Sequence, residues 1–278
     1  MEHLDLKPGA VEALEKRYGM RPAVASRPWN ETIAGILNHR SVRSYKPDPV
    51  PPGTLEVLVA AAQSAPTSSN YQAWSVMEVT DPALRKEIAT IANNQRHVER
   101  CPLFLVWLAD LSRLDRIGQA DGINAEGLDY VETFIVATVD AALAAQNVVV
   151  AAESLGLATL YIGAVRNDIG RIAKLLNLPP RVYATFGMCI GYEDKTVKSA
   201  VKPRLPQSVI VHHNSYGVPD EAARIAAFDR INEEFARSNG MTVEPWARKI
   251  MARIATAKSL HGRELISGVL KALGFPLR

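Results

Sequence analysis

Between Gly127 and Gly156 the chain runs without a proline. The second half of that stretch is apolar whichever way a helix is turned: Ala141, Ala142, Leu143, Ala144 and Ala145, then Val148 to Ala152. A helix without a polar face has to be buried, and its small side chains let other backbone come close. The stretch is therefore expected to be the central core helix. It is either the middle of one chain's own core or a helix paired with its copy in a second subunit. With 278 residues, 47% of them hydrophobic, the chain can build a core around such an element.

The other elements follow from punctuation. Residues 1–28 are a charged, proline-punctuated lead, expected to be an N-terminal arm with one short helix from Ala10 to Tyr18 before Gly19. A second helix, capped by Asn30 or Thr32, carries Ile33, Ile36 and Leu37 on one face. Lys46 to Pro52 is an extended linker, because proline excludes helix there. Thr54 to Ala65 reads as a helix capped by Thr54. Asp81-Pro82 supplies a cap and a first-turn proline for a helix to about Asn93. Pro102 to Ala109 is short and continuously apolar, as in a strand buried on both faces. Trp74–Thr80, Ala158–Ile162, Tyr183–Gly191 and Val209–Val211 complete the expected strands, and Asp168–Leu176 is a further helix. From Pro219 onward the pattern is helical. Four or five strands alternating with helices imply one layered fold with a sheet, of α/β or α+β class. The expected organisation is an arm over 1–28 and one domain over 29–278, with a helical excursion at about 219–278.

Composition excludes some functions. The net charge of +3, from 32 basic and 29 acidic residues, is too weak to argue for nucleic acid. No run of about 18 uninterrupted apolar residues suggests a membrane span. Cys101 and Cys189 lie in apolar runs outside any CxxC, as small hydrophobes do in a reducing compartment; the cytoplasm is the expected location. No GxGxxG, P-loop or GxSxG motif appears. The tandem His212-His213 reads as a solvated strand end rather than a metal site.

Five polar loops stand at the ends of apolar elements. His39-Arg40-Ser41-Val42-Arg43 places two guanidinium groups and a hydroxyl within a few positions, a pattern suited to a phosphate. It would equally complement a helix dipole at a C-terminus. Thr67-Ser68-Ser69-Asn70-Tyr71-Gln72 is a run of neutral donors and acceptors that would also serve as a turn. Asn93-Asn94-Gln95-Arg96-His97 follows a helix, and Tyr161-Ile162-Gly163-Ala164-Val165-Arg166 ends a strand in small residues that let a ligand approach backbone. Lys202-Pro203-Arg204-Leu205-Pro206 adds two cations around a stiffening proline. Taken together they suit a ligand with an anionic end, an apolar planar body and a polar edge. Flavin mononucleotide (FMN) has that form.

These same stretches carry a resemblance. His39–Arg43 is similar to the HRSxR opening of the FMN-dependent nitroreductase family. The loop from Ala65 to Trp74 is similar to that family's PSSxNxQPW loop, with Ala73 in place of its second proline. Ala151–Gly156, Tyr161–Arg166, Phe186–Gly191 and Lys202–Pro206 resemble its major oxygen-insensitive nitroreductase and flavin reductase P branch, in matching order over about residues 33–216.

The resemblance implies an α+β fold with a mostly antiparallel sheet flanked by helices. It also implies an entwined homodimer with two FMN sites at the subunit interface. Carried over, His39, Arg40, Ser41 and Arg43 would hold the phosphate and the pyrimidine side. Gln95 would contact the flavin, and Tyr161, Ile162, Gly163 and Ala164 would lie along its ring. Lys202 and Arg204 would complete the charge environment. Ser68, Ser69 and Asn70 would come from the opposite subunit, and Tyr71 and Arg166 would meet the substrate. The implied activity is hydride transfer from NADPH or NADH through FMN to nitroaromatics, quinones or flavins, without a dedicated acid, base or metal. Asn239 to Trp246 lacks the arginines that branch members carry before the tryptophan, so the donor is left as either nucleotide. A flavin-binding protein without turnover, or a different flavin chemistry such as dehalogenation, are the alternatives.

Overall fold

Proline, glycine and short polar caps set most element boundaries, as a computed structural model of the chain shows. It describes residues 9–20 and 28–278; of the expected N-terminal arm, residues 1–8 and 21–27 lie outside the described residues. Helix α1 (Ala10–Tyr18) ends at Gly19 in the left-handed conformation, as helices commonly do. The Asn30 side chain caps α2 (Glu31–Asn38) by accepting the Ile33 amide at 2.9 Å. Helix α3 (Thr54–Gln63) is capped by Gly53, not by Thr54, whose side chain is buried. The turn after Pro51-Pro52 needs a positive φ (83° at Gly53), which glycine adopts without strain.

Strand β1 (Trp74–Glu78) leads to α4 (Pro82–Ile91), where Asp81 accepts from the amides of Ala83 and Leu84 and Pro82 opens the first turn. Then come α5 (His97–Arg100), β2 (Leu103–Asp110), α6 (Ser112–Ala120) and α7 (Val131–Ser154). Strand β3 (Ala158–Ile162), α8 (Ile169–Leu175, capped by Asp168) and β4 (Val182–Gly191) follow. Helices α9 (Gln207–Ile210), α10 (Glu221–Ser238), α11 (Trp246–Ile254) and α12 (Ile266–Ala272) complete the described chain.

The chain folds as two compact units. One takes in the described residues up to Arg40 together with Lys195–Ser259; the other comprises Ser41–Asp194 and Leu260–Arg278.

The second unit holds the sheet. Its order is β1-β2-β4-β3, every pair antiparallel, with Trp74 opposite Ala109, Phe104 opposite Cys189 and Leu160 opposite Cys189 from the other side. The α+β class and antiparallel sheet expected from the resemblance are observed. Every residue of β2 is buried, as its unbroken apolar run requires. On one face, Leu58 of α3 and Ala144, Ala145 and Val148 of α7 pack with Trp107 and Met188. On the other, Ile88 of α4 and Ile172 of α8 pack with Phe104 and Val106. Gly187 in β4 is a close approach: a side-chain carbon there would stand 2.8 Å from the Phe104 ring. Helix α12 belongs to this unit, and Leu270 and Phe275 close its end against Phe134 and Tyr183.

Two further expectations change. Val209–Val211 is not a strand. Its β-branched residues have no partner strand among the described residues, so the backbone closes locally as α9, with the Val211 amide on the Gln207 carbonyl at 2.8 Å. His212 accordingly follows a helical turn and interacts through Nδ1 with the Gly217 carbonyl at 3.1 Å. Helix α7 is the core helix, but it is buried on one side only. Ala137, Ala141, Ala144 and Ala145 face inward, while Ile135, Val139 and Leu143 are 49%, 48% and 40% exposed. By length and composition α7 could cross a membrane, yet its small-residue side packs on the sheet.

Candidate functional site

The stretch His39–Arg43 straddles the boundary between the two units, with His39 and Arg40 in the first and Ser41, Val42 and Arg43 in the second. In the first unit, α2 ends at Asn38 and the chain turns extended at His39. Arg40 Nε donates to Ser199 Oγ at 2.9 Å. This joins the predicted phosphate loop to the basic segment that contains Lys202 and Arg204. The two segments also share a partner in Arg17 of α1, whose guanidinium donates to the carbonyls of Leu37 (2.7 Å), His39 (2.9 Å) and Lys202 (3.2 Å). The Arg204 amide donates back to the Arg17 carbonyl at 2.9 Å. His39, Arg40, Lys202 and Arg204 are thus brought together within one unit, with Lys202 and Arg204 exposed. Neither Arg17 nor Ser199 was singled out by the sequence.

In the second unit, Ser41 to Lys46 runs along the sheet. The Val42 amide donates to the Thr159 carbonyl (3.2 Å) and the Lys46 amide to the Tyr192 carbonyl (2.9 Å). Val42 is buried, which turns the flanking Ser41 and Arg43 outward. The Arg43 charge acts on His97, which stands 2.9 Å from Gln95 Oε1 through Nε2. Arg43, Gln95 and His97 therefore form one neighbourhood; sequence alone named the first two as ligands and left His97 as part of a helix end.

Burial first, and the Arg43 charge second, hold the His97 imidazole below its ordinary 6.5. The folded chain then binds fewer protons than the unfolded chain as pH falls below 6.5, so this group's contribution to stability is lost on the acid side. The melting temperature is expected to drop between about pH 7 and about pH 5, and His97→Gln to flatten part of that drop. Parallel profiles for the two proteins would remove His97 as the cause.

The loop Thr67–Gln72 is held by Asp140, a carboxylate of α7 that is 2% exposed. It accepts from Thr67 Oγ1 (2.6 Å), the Ala73 amide (3.1 Å) and the Ser68 amide (3.4 Å). The loop is tightly curled: Ser69, Asn70 and Gln72 take positive φ values of 47°, 57° and 49°. Asn70 and Tyr71 line a cavity of about 570 Å³ with Trp74, Arg113 and Ile117. Tyr71 is thereby placed at a concave, partly apolar surface, as ligand pockets are.

Strand β3 ends at Ile162, and Gly163 begins a helical turn. The Tyr161 ring packs edge-on against Phe186 with centroids 5.0 Å apart. Burial pushes its phenol well above the ordinary value, so it stays a neutral donor, here to Gln146 Oε1 at 3.4 Å. Ile162 and Ala164 are buried. Arg166, expected to meet substrate, turns instead to β4 and donates to the Thr185 carbonyl. Its guanidinium lies within 3.4 Å of where a side-chain carbon on Gly163 would stand.

The donor set has the chemistry that FMN requires. Guanidinium and ammonium groups suit the phosphate, the Gln95 amide suits the pyrimidine edge, and a small-residue strand end suits the ring.

Comparison with known proteins agrees. The model of the nitroreductase family matches residues 36–192, and that of the family's C-terminal domain matches residues 202–278. An FMN reductase (NADPH) from Bacillus subtilis is 38% identical over 227 residues, covering 80% of this chain and 90% of the relative. The solved structure of NfrA1 nitroreductase from B. subtilis superposes with a TM-score of 0.82 at 35% identity, covering 88% of this chain and 99% of that one. The NADPH:FMN oxidoreductase from Vibrio harveyi, solved in complex with NAD+, superposes with a TM-score of 0.80 at 32% identity, covering 90% and 100%.

Proposed function

Because the chain belongs to the nitroreductase family, we propose that it is an FMN-dependent NAD(P)H oxidoreductase that reduces flavins, quinones or nitroaromatics. The observation that carries this reading is the pairing of two cationic segments in one unit. Arg40 reaches Ser199, and Arg17 holds both His39 and Lys202. Such a cluster of donors serves an anion, and a relative of closely similar length is named an FMN reductase (NADPH).

When bound, FMN accepts hydride from the nicotinamide and passes electrons to the second substrate. The chain's own residues bind and orient. His39, Arg40, Lys202 and Arg204, with Ser41 and Arg43, take the phosphate and pyrimidine roles of the family. Gln95 and Tyr161 to Ala164 take the ring contacts. Tyr71 takes the substrate-facing role at its cavity, while Arg166 ties the turn after β3 to β4. Ser68, Ser69 and Asn70 serve the flavin of a second copy. The exposed apolar side of α7 supports that homodimer. Two free, buried cysteines fit a cytoplasmic enzyme.

The test is the purified protein with NADPH or NADH plus a nitroaromatic, a quinone or free FMN. A flavin band at about 450 nm is expected, with oxidation of at least one nucleotide that is lost when FMN is stripped and restored when it is added back. A yellow protein that oxidises neither nucleotide would be a flavin-binding protein without turnover. A chain that takes up no flavin would overturn the reading altogether.

A further inference from the structure

Helix α1 precedes both stretches matched by the family models, yet it is built into the first unit with unusual specificity. Its inward side is Ala10, Ala13, Leu14 and Arg17, the spacing of one helical face. An arginine on that face has to be satisfied, since a buried guanidinium without acceptors is costly. Arg17, 7% exposed, meets this by donating to three carbonyls on two separate segments. Leu37 and His39 lie where α2 ends and its last carbonyls lack helical partners. Lys202 lies in the basic loop.

The loop returns the contact. The Arg204 amide donates to the Arg17 carbonyl (2.9 Å), and Gln207 Nε2 donates to the Tyr18 hydroxyl (3.1 Å). Immediately after, Gly19 has φ of 67°, and a side-chain carbon there would stand 2.1 Å from Ile231 Cγ2 of α10. Only glycine fits that approach, so the end of α1 is seated at a fixed place on α10.

We propose that Arg17 is a positioning residue for flavin binding: it locks His39–Arg40 and Lys202–Arg204 into the spacing that grips the FMN phosphate. The inference rests on the assignment of those four residues to the phosphate. Cationic segments repel one another when empty, and holding them in place beforehand removes an ordering cost from binding. Arg17 does this through the backbone carbonyls of Leu37, His39 and Lys202. A lysine would keep the charge but not the planar fork that spans two segments.

The experiment titrates full-length apoprotein with FMN and with riboflavin, which lacks the phosphate. Arg17→Met, Arg17→Lys and Gly19→Val are compared with Arg40→Ala. Arg17→Met is expected to weaken FMN about tenfold, the scale of one charge-assisted hydrogen bond, and to weaken riboflavin, which keeps only the pyrimidine contacts, by less. Arg17→Lys should fall between, and Gly19→Val should match Arg17→Met by unseating α1 without touching the guanidinium; it decides the matter if Arg17→Met does not fold. If Arg40→Ala weakens FMN while Arg17→Met and Gly19→Val bind it normally, the inference is wrong and the phosphate assignment stands. Equal loss of FMN and riboflavin would reduce Arg17 to a structural anchor and also overturn it. Unchanged FMN affinity in Arg40→Ala would sink the phosphate assignment itself.

Discussion

Asp140→Ala is expected to lower folding stability by about 2 kcal/mol, the cost of leaving the buried Ala73 amide and the partly buried Thr67 hydroxyl without their acceptor. The carboxylate is 2% exposed and serves Thr67 Oγ1 and the amides of Ser68 and Ala73. The loop it holds contains three non-glycine residues at positive φ, Ser69, Asn70 and Gln72. Such conformations persist only when the surroundings determine them. Thr67 passes the constraint on, since its hydroxyl oxygen accepts the Gln72 amide at 3.0 Å. Loss of Asp140 should therefore unpin the whole segment that carries Ser68, Ser69, Asn70 and Tyr71. Chemical denaturation gives the stability, and amide hydrogen exchange over residues 67–73 gives the loop. Asp140→Asn retains one carbonyl acceptor and should lose less. A change within about 0.5 kcal/mol for the alanine variant, the range of ordinary surface substitutions, would mean the loop is held by something else.

Asp140 also marks where sequence stops being informative. Local punctuation was legible: α1 ends at Gly19, α4 opens at Asp81-Pro82, and the unbroken apolar run of β2 is the buried second strand of the sheet. The five polar loops were legible because phosphate, amide and small-residue chemistry each need particular residue types. Side chains that act across the fold were not. Arg17 sits among Glu12, Glu15 and Lys16, in a charged lead where nothing local marks it as buried. Asp140 interrupts an apolar helix without any local sign of what it accepts. His97 reads as a helix end, although burial and, second, the Arg43 charge hold it below its ordinary value. Val209–Val211 misleads for the converse reason: strand preference is expressed only when a neighbouring strand is there to pair. The acidic residue inside α7 could have been flagged by one rule, that a buried carboxylate must find donors, but the donors come from a loop far away in sequence.

The outward side of α7 leads to the other large effect. Val131, Ile135, Val139 and Leu143 are 41%, 49%, 48% and 40% exposed, and they recur every fourth residue, which makes one stripe along the helix. Burying an aliphatic side chain of this size contributes about 1.5–3 kcal/mol when complete. A two-fold interface buries the stripe of both protomers, and because these side chains are already about half buried the gain is about 5–11 kcal/mol, of the same order as an association cost of about 4–15 kcal/mol. Ile135→Asp places a carboxylate at the middle of the stripe without touching the inward residues Ala137, Ala141 and Ala144. Wild-type protein is expected to elute at twice 30.4 kDa by light scattering, and Ile135→Asp at the single-chain mass with its helical content retained. Because Ser68, Ser69 and Asn70 are assigned to the flavin of the second copy, the monomer should also lose FMN on dilution. A variant that stays dimeric would remove α7 from the interface. A folded monomer that keeps FMN at wild-type affinity would show that one chain completes the site, and would return Ser68–Asn70 to the role of a turn pinned by Asp140.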